Sequence, residues 1–237
     1  MESYLFLGAL VVLGVWLCKL LWLHITVYTF KPFWDKQAKK PAQQDELIYF
    51  VLGDSTAQGI GAMRAKQSYP YLVAMWLQKQ SARPVRIINF SVAGAKLQDV
   101  FTDQLPKLSQ YSPPHIVTIS IGSNNMKDFN AESYEVQFKQ IIMALPKESY
   151  VANVPSFGGP WQKLDWKAQQ AGELMGRHLK TTNHHLVDMY SATKAFGSYL
   201  DFAADTFHPN ARAYKKWALT FEKVMAERIP ELIVVKN

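Results

Sequence analysis

The sequence predicts a three-layer α/β/α sandwich on a five-stranded parallel sheet, preceded by one N-terminal transmembrane helix. Three observations carry this reading. From Leu47 onward, short runs that are apolar almost throughout alternate with longer amphipathic stretches. Strands of that kind are buried on both faces, as in parallel sheets covered by helices. The first thirty residues, by contrast, hold an apolar run with no polar face.

The strands and helices follow one another in order. LIYFVLG at 47–53 is followed by a helical pattern over about 69–80, VRIINFSV at 85–92 by one over about 95–105, and HIVTISIG at 115–122 by one over about 132–145. SYVANVPS at 149–156 precedes a helix over about 164–181, and HHLVDMY at 184–190 precedes a closing helix over about 209–228. This is the flavodoxin-like type of arrangement, in which sites form beyond the carboxyl ends of the strands.

Residues 5–17, LFLGALVVLGVWL, carry no charge, and the apolar run resumes after Lys19 as LLWL. About 20 apolar residues cross a bilayer core, and an off-centre lysine can snorkel to an interface. Trp16, Trp22, Tyr28 and Trp34 suit an interfacial belt. The start MESYLF lacks the positive n-region of a cleaved signal, and no A-x-A site follows. The sequence thus divides into an anchor at 1–30, a polar juxtamembrane linker at 31–46 and a folded domain at 47–237. Lys31, Lys36, Lys39 and Lys40 follow the span and no base precedes it, which favours a cytoplasmic domain.

With 49% hydrophobic and 13% aromatic residues, the 237-residue chain has ample material for a core, and disorder is excluded. The single cysteine, Cys18, excludes an internal disulfide and a thiolate zinc site. Of the net charge of +7, residues 1–40 carry +3 and the rest +4. With no Lys/Arg run longer than two in the body and no recognition motif, nucleic acid is not an expected partner.

The strand ends carry the polar groups. Gly53-Asp54-Ser55-Thr56 closes the first strand, Asn89-Phe90-Ser91-Val92-Ala93-Gly94 the second and Gly122-Ser123-Asn124-Asn125 the third, while Asp205-Thr206-Phe207-His208-Pro209 precedes the last helix. Singly, each has an ordinary structural reading. Ser55 can cap a helix, Gly94 can serve a turn, the asparagines can tolerate left-handed geometry, and His208-Pro209 can open a helix.

Together and in this order, GDSTAQGIGA at 53–62, the glycine of NFSVAGAKLQDV, IGSNN and DTFHPNARAYKKWA at 205–218 resemble the SGNH (GDSL) hydrolase superfamily over about residues 48–228. The resemblance implies a serine esterase or lipase with Ser55 as nucleophile, His208 as general base and then acid, and Asp205 orienting the imidazole. It implies an oxyanion hole formed by the N–H groups of Ser55 and Gly94 and the side-chain amide of Asn124, and no metal or cofactor. The residue types suit that chemistry, since a serine hydroxyl needs an adjacent imidazole and the imidazole a fixed tautomer. Glycine at 94 is expected to keep a side chain from crowding the backbone donor. The family's third block usually ends in Asp, where this chain has Asn125.

The substrate expected is an acyl ester or thioester of a small molecule, lipid or glycan, with the membrane as the other partner. An O-acyltransferase with the same site and a non-catalytic membrane-anchored binding module are the alternatives. His178, His184 and His185 read as surface histidines, Gly158-Gly159-Pro160 as a loop, and Trp161, Trp166 and Trp217 as packing residues.

Overall fold

The computed structural model describes residues 2–228, so the last residues of the domain as read from the sequence, 229–237, lie outside the described residues. The chain begins with helix α1 (Glu2–Ala38) and continues through β1 (Leu47–Gly53), the single turn α2 (Ser55–Gln58), α3 (Tyr69–Ser81) and β2 (Val85–Asn89). A short turn α4 (Leu97–Asp99) widens into a π turn at Val100–Gln104 before β3 (Ile116–Ser120), α5 (Ala131–Ala144) and β4 (Tyr150–Ala152). Then come α6 (Asp165–Leu179), β5 (His185–Val187), α7 (Met189–Phe196) and α8 (Ala211–Ala226).

The five strands form one parallel sheet in the order β2-β1-β3-β4-β5. Every residue of β3 and β4 is buried, as their largely apolar sequences require. On one face, Phe50, Leu52, Ile88, Ile119 and Val151 pack against α5 and α6 through Phe138, Ile141, Ala171 and Met175. On the other, Tyr49, Val51 and Ile87 meet α3 and α8, where Tyr69 stacks on Phe221 at a centroid separation of 4.8 Å. The predicted sandwich and its strand count are therefore present.

Several elements differ from the pattern read in the sequence. The stretch over 95–105 is a short α turn with a π turn rather than one regular helix, and Leu105-Pro106 ends it because proline has no N–H to continue. Met189 and Tyr190, which the sequence pattern assigns to the fifth strand, instead open α7 (Met189–Phe196), capped by Asp188 accepting from Ser191 N. The polar segment after the anchor is helical as far as Ala38. One stripe of α1, running from the second half of the apolar run into this segment, faces the domain: Thr26, Phe30 and Trp34 are buried, with Leu23, Val27 and Phe33 packed beside them at helical spacing on the sheet-covering layer. Upstream, the side chains from Tyr4 to Leu17 are exposed and touch no core. Helix α1 is long and apolar enough over Tyr4–Ala38 to cross a membrane.

Candidate active site

The carboxyl end of β1 delivers Ser55. The strand stops at Gly53, Asp54 caps α2 by accepting from Thr56 N at 2.9 Å and Thr56 Oγ1 at 2.8 Å, and Ser55 becomes the first helical residue. Asp54, not Ser55, is therefore the cap. Three side chains fix this turn from outside. Gln104 accepts from Gly53 N at 2.9 Å and donates to Gly53 O at 2.8 Å; Asn89 Nδ2 donates to Ala57 O at 2.9 Å; and Trp34 Nε1 of α1 donates to Gln58 O at 2.9 Å.

His208 arrives from the far end of the chain, on the loop before α8. Its Nε2 lies 3.0 Å from Ser55 Oγ, and its Nδ1 lies 2.5 Å from Asp205 Oδ2. The other carboxylate oxygen, Oδ1, accepts from the backbone N–H groups of Phe207 and His208, both at 3.0 Å. That double hold keeps Thr206 at φ +57°, a left-handed conformation that a β-branched residue seldom adopts. Helix α8 itself is capped by Asn210, so His208 and Pro209 lie outside it.

Gly61 matters to this approach. At φ +99°, a Cβ there would stand 2.3 Å from Pro209 O and 2.9 Å from His208 Cβ, so only glycine lets the loop after Ser55 lie against the histidine.

Asn124 sits on a 3₁₀ turn at Ser123–Met126 after β3, and its Nδ2 donates to Ala95 O at 3.0 Å, leaving the second amide hydrogen unused by that bond. Asn125 Oδ1 accepts from Leu97 N at 3.2 Å. The amide therefore supplies an acceptor to the neighbouring loop, which joins the third block to the second. Gly94 has φ +83°, and a Cβ built there would meet nothing within 4 Å. The left-handed backbone accounts for glycine here as the turn reading expects, and the space beside its N–H is open. Among the described residues, the N–H groups of Ser55 and Gly94 have no hydrogen-bond partner.

Ser55 and Asn124 line a cavity of about 450 Å³ whose other walls include Pro155, Phe157, Tyr199, Phe202, Phe207 and Trp217. Gly158 and Gly159 also contribute. Phe207 packs between Phe157 and Trp161, at centroid separations of 6.0 and 5.0 Å. The cavity is thus mainly apolar with a polar floor at Ser55, which suits an acyl group.

Burial dominates the electrostatics. Asp54, buried and near His208, has its carboxyl pushed up to about 6 by loss of solvent, with the Thr56 hydrogen bonds and His208 pulling against it. Burial also raises Asp205, but the hydrogen bond and charge of His208 and the two backbone N–H donors outweigh it and hold the carboxyl below its ordinary range.

The remaining sequence signals have local explanations. His178 pairs with Glu135 at 2.7 Å, His185 with Glu148 at 2.7 Å, and His184 Nε2 with Ile142 O at 2.8 Å. Among the described residues, no group of three or more His, Cys, Asp or Glu could hold a metal ion. Trp217 is buried, Trp166 is exposed, and Trp161 packs on Phe207. The sequence did not single out Asp54, Asn89, Gln104 or Trp34 for positioning. Asp54 and Asn89 stand within the quoted blocks and nothing local distinguishes Gln104, while Trp34, read in the sequence as part of an interfacial belt, is instead fully buried in the domain core.

The model of the GDSL-like Lipase/Acylhydrolase family matches residues 51–216. No curated protein sequence matches the chain. Among solved structures, LAE5, an alpha/beta hydrolase enzyme from the metagenome of Lake Arreo, is similar at TM-score 0.62 and 19% identity over 78% of this chain and 97% of its own. The esterase EstA of Pseudoalteromonas sp. is similar at TM-score 0.60 and 16% identity, covering 77% of this chain and 98% of its own. The Clostridium thermocellum family 3 carbohydrate esterase is similar at 0.63 and 17% identity, covering 79% and 99%.

Proposed function

Because the chain belongs to the GDSL-like lipase/acylhydrolase family and is an ester-hydrolysing enzyme, we propose that it cleaves carboxylic esters or thioesters through an acyl-enzyme on Ser55, held at a membrane by α1. The observation that carries the reading is the continuous hydrogen-bonded line Ser55 Oγ, His208 Nε2, His208 Nδ1, Asp205 Oδ2 at the floor of an apolar cavity.

In the first half-reaction, Ser55 Oγ attacks the acyl carbonyl while His208 Nε2 accepts the hydroxyl proton. Asp205 keeps the other ring nitrogen protonated and stabilises the imidazolium. The oxyanion is met by Ser55 N–H, Gly94 N–H and the free amide hydrogen of Asn124. Collapse breaks the ester bond, and the leaving alkoxide or thiolate takes the proton from His208. In the second half, His208 accepts a proton from water, hydroxide adds to the acyl-enzyme, and Ser55 leaves with the proton returned.

The four lysines after the apolar run support a cytoplasmic position for the catalytic domain. Protease access to a C-terminal tag in intact cells and in spheroplasts tests this: protection in both agrees with it, and cleavage in spheroplasts opposes it.

The nucleophile is tested by labelling the detergent-solubilised full chain with a fluorophosphonate and mapping the adduct. The full chain is needed because Phe30 and Trp34 belong to the core. One adduct on Ser55, absent from Ser55→Ala, is expected; a folded protein that takes up no label would overturn the assignment.

A further inference from the structure

Two tryptophans of α1 hydrogen-bond to loops of the catalytic domain. Trp16 Nε1 donates to Ala204 O at 3.2 Å, and Trp22 Nε1 donates to Met63 O at 3.2 Å. Ala204 stands one residue before Asp205, in the segment GSYLDFAADTF at 197–207. This segment also supplies Tyr199, Phe202 and Phe207 to the cavity wall.

These bonds set the domain's height along the span. If the hydrocarbon core takes about 20 residues from Tyr4, its boundary falls at Leu23, about 10 Å beyond Trp16 along the helix axis. If it ends instead at the first charge, Lys19, the boundary is still about 5 Å beyond Trp16. Under either limit, the loop held by Trp16 lies at or within the bilayer surface.

The loop's chemistry agrees with that depth. Tyr199 and Leu200 are 80% and 70% exposed, far more than an apolar pair facing water alone would favour. The segment's two charges are both engaged: Asp201 is buried against Lys216 at 2.8 Å and Arg212 at 3.2 Å, and Asp205 against His208. About 9 Å further along the axis, at the level of Trp22, the character changes. There the loop after Met63 presents Arg64 and Lys66, both exposed and with no acidic partner among the described residues. An apolar loop on the bilayer side and a basic loop on the water side reproduce the order of acyl chains and anionic headgroups.

We propose that segment 197–207 is seated in the membrane interface and forms the mouth through which the cavity takes its acyl ester directly from the bilayer. The substrate is then a lipid-borne ester rather than an acetylated glycan reached through water. This inference rests on the reading of α1 as a span and of Ser55 as nucleophile. An acyl chain leaving the bilayer passes Tyr199 and Phe207 to place its carbonyl at Ser55 without crossing water, which removes the cost of hydrating it.

The test uses the full chain in vesicles of phosphatidylethanolamine and phosphatidylglycerol. These contain a fluorogenic long-chain acyl ester, and 4-nitrophenyl acetate is added as a water-soluble substrate. Leu200→Glu changes an exposed residue outside the cavity wall and is expected to lower turnover of the vesicle ester at least about tenfold while leaving the soluble ester within about twofold. In a Cys18→Ser background, a bimane label on Leu200→Cys is expected to be quenched by spin-labelled lipid. Unchanged vesicle turnover in Leu200→Glu, a label that lipid does not quench, or hydrolysis of acetylated oligosaccharides with none of the vesicle ester would each overturn the proposal. If the parent protein turns over neither substrate, the Ser55 reading fails, and the quenching decides the seating of the loop on its own.

Discussion

Asp205 grips His208 twice, at ring Nδ1 through Oδ2 at 2.5 Å and at backbone N through Oδ1 at 3.0 Å. One side chain, three residues upstream, thereby sets both the tautomer of the imidazole and the path of the loop that carries it. Asp205→Asn keeps an acceptor for the backbone N–H groups when Oδ1 faces them, but turns an amide donor toward Nδ1–H. The expected result is a folded protein whose kcat/KM falls about 10³- to 10⁴-fold on a short-chain ester, the scale of a wrong-tautomer defect. Circular dichroism and steady-state kinetics measure the two halves of this expectation, and a loss below tenfold would contradict the role.

Asn124 is held by its own bond to Ala95 O, which orients its amide before any substrate arrives. Asn124→Ala is expected to lower kcat by about 10² to 10³ with little change in the denaturation midpoint, the usual cost of one oxyanion donor. An unchanged kcat refutes the assignment.

Gln104 is fully buried and pairs with both Gly53 N and Gly53 O, two residues before the proposed nucleophile. Gln104→Leu leaves the buried Gly53 N–H without a partner, while Gly53 O keeps its bond from Val92 N at 3.1 Å. A stability loss of about 1–3 kcal/mol is expected in urea titrations. Gln104→Glu keeps the acceptor for Gly53 N, and its protonated carboxyl can still donate to Gly53 O, so a smaller loss is expected below the pH at which that carboxyl ionises. Equal stability of Gln104→Leu and the parent would remove Gln104 from the support of the site.

Asp54 supplies a pH dependence whose sign follows from its raised carboxyl. The folded state binds the proton more tightly than the unfolded state, so between about 4 and 6 stability falls as pH rises, and it levels above 6. A shift of about two units corresponds to roughly 3 kcal/mol across that window. Asp54→Asn retains an acceptor for Thr56 N and Thr56 Oγ1 and loses the titration. Its denaturation midpoint is expected to exceed the parent's at pH 8 and to lose this fall between pH 4 and 6. Asp205 acts in the opposite sense, its contribution being lost as pH falls below the ordinary carboxylate range, so the comparison is made between variant and parent at each pH.

Much of this was legible beforehand because the signals are local. Continuous apolar runs between amphipathic stretches specify buried strands under helices, and β3 and β4 are buried throughout as those runs demand. The blocks around Ser55, Gly94, Asn124 and His208 carry their residue types in the open, at strand ends where a parallel sheet gathers its polar loops. A charge-free stretch of membrane length is likewise a property of composition and needs no partner to be seen.

What only the tertiary structure decided depends on contacts between residues far apart in the chain. No local pattern reveals that Gln104 would meet Gly53, that Trp34 would reach Gln58, or that a polar stretch after the anchor would lie as helix on the domain, because those groups gain partners only after the sheet and its layers have packed. The meeting of Ser55 and His208 across 153 positions is of the same kind. Periodicity fixes what each segment buries, while the closing of long loops by the packed core fixes which polar atoms meet.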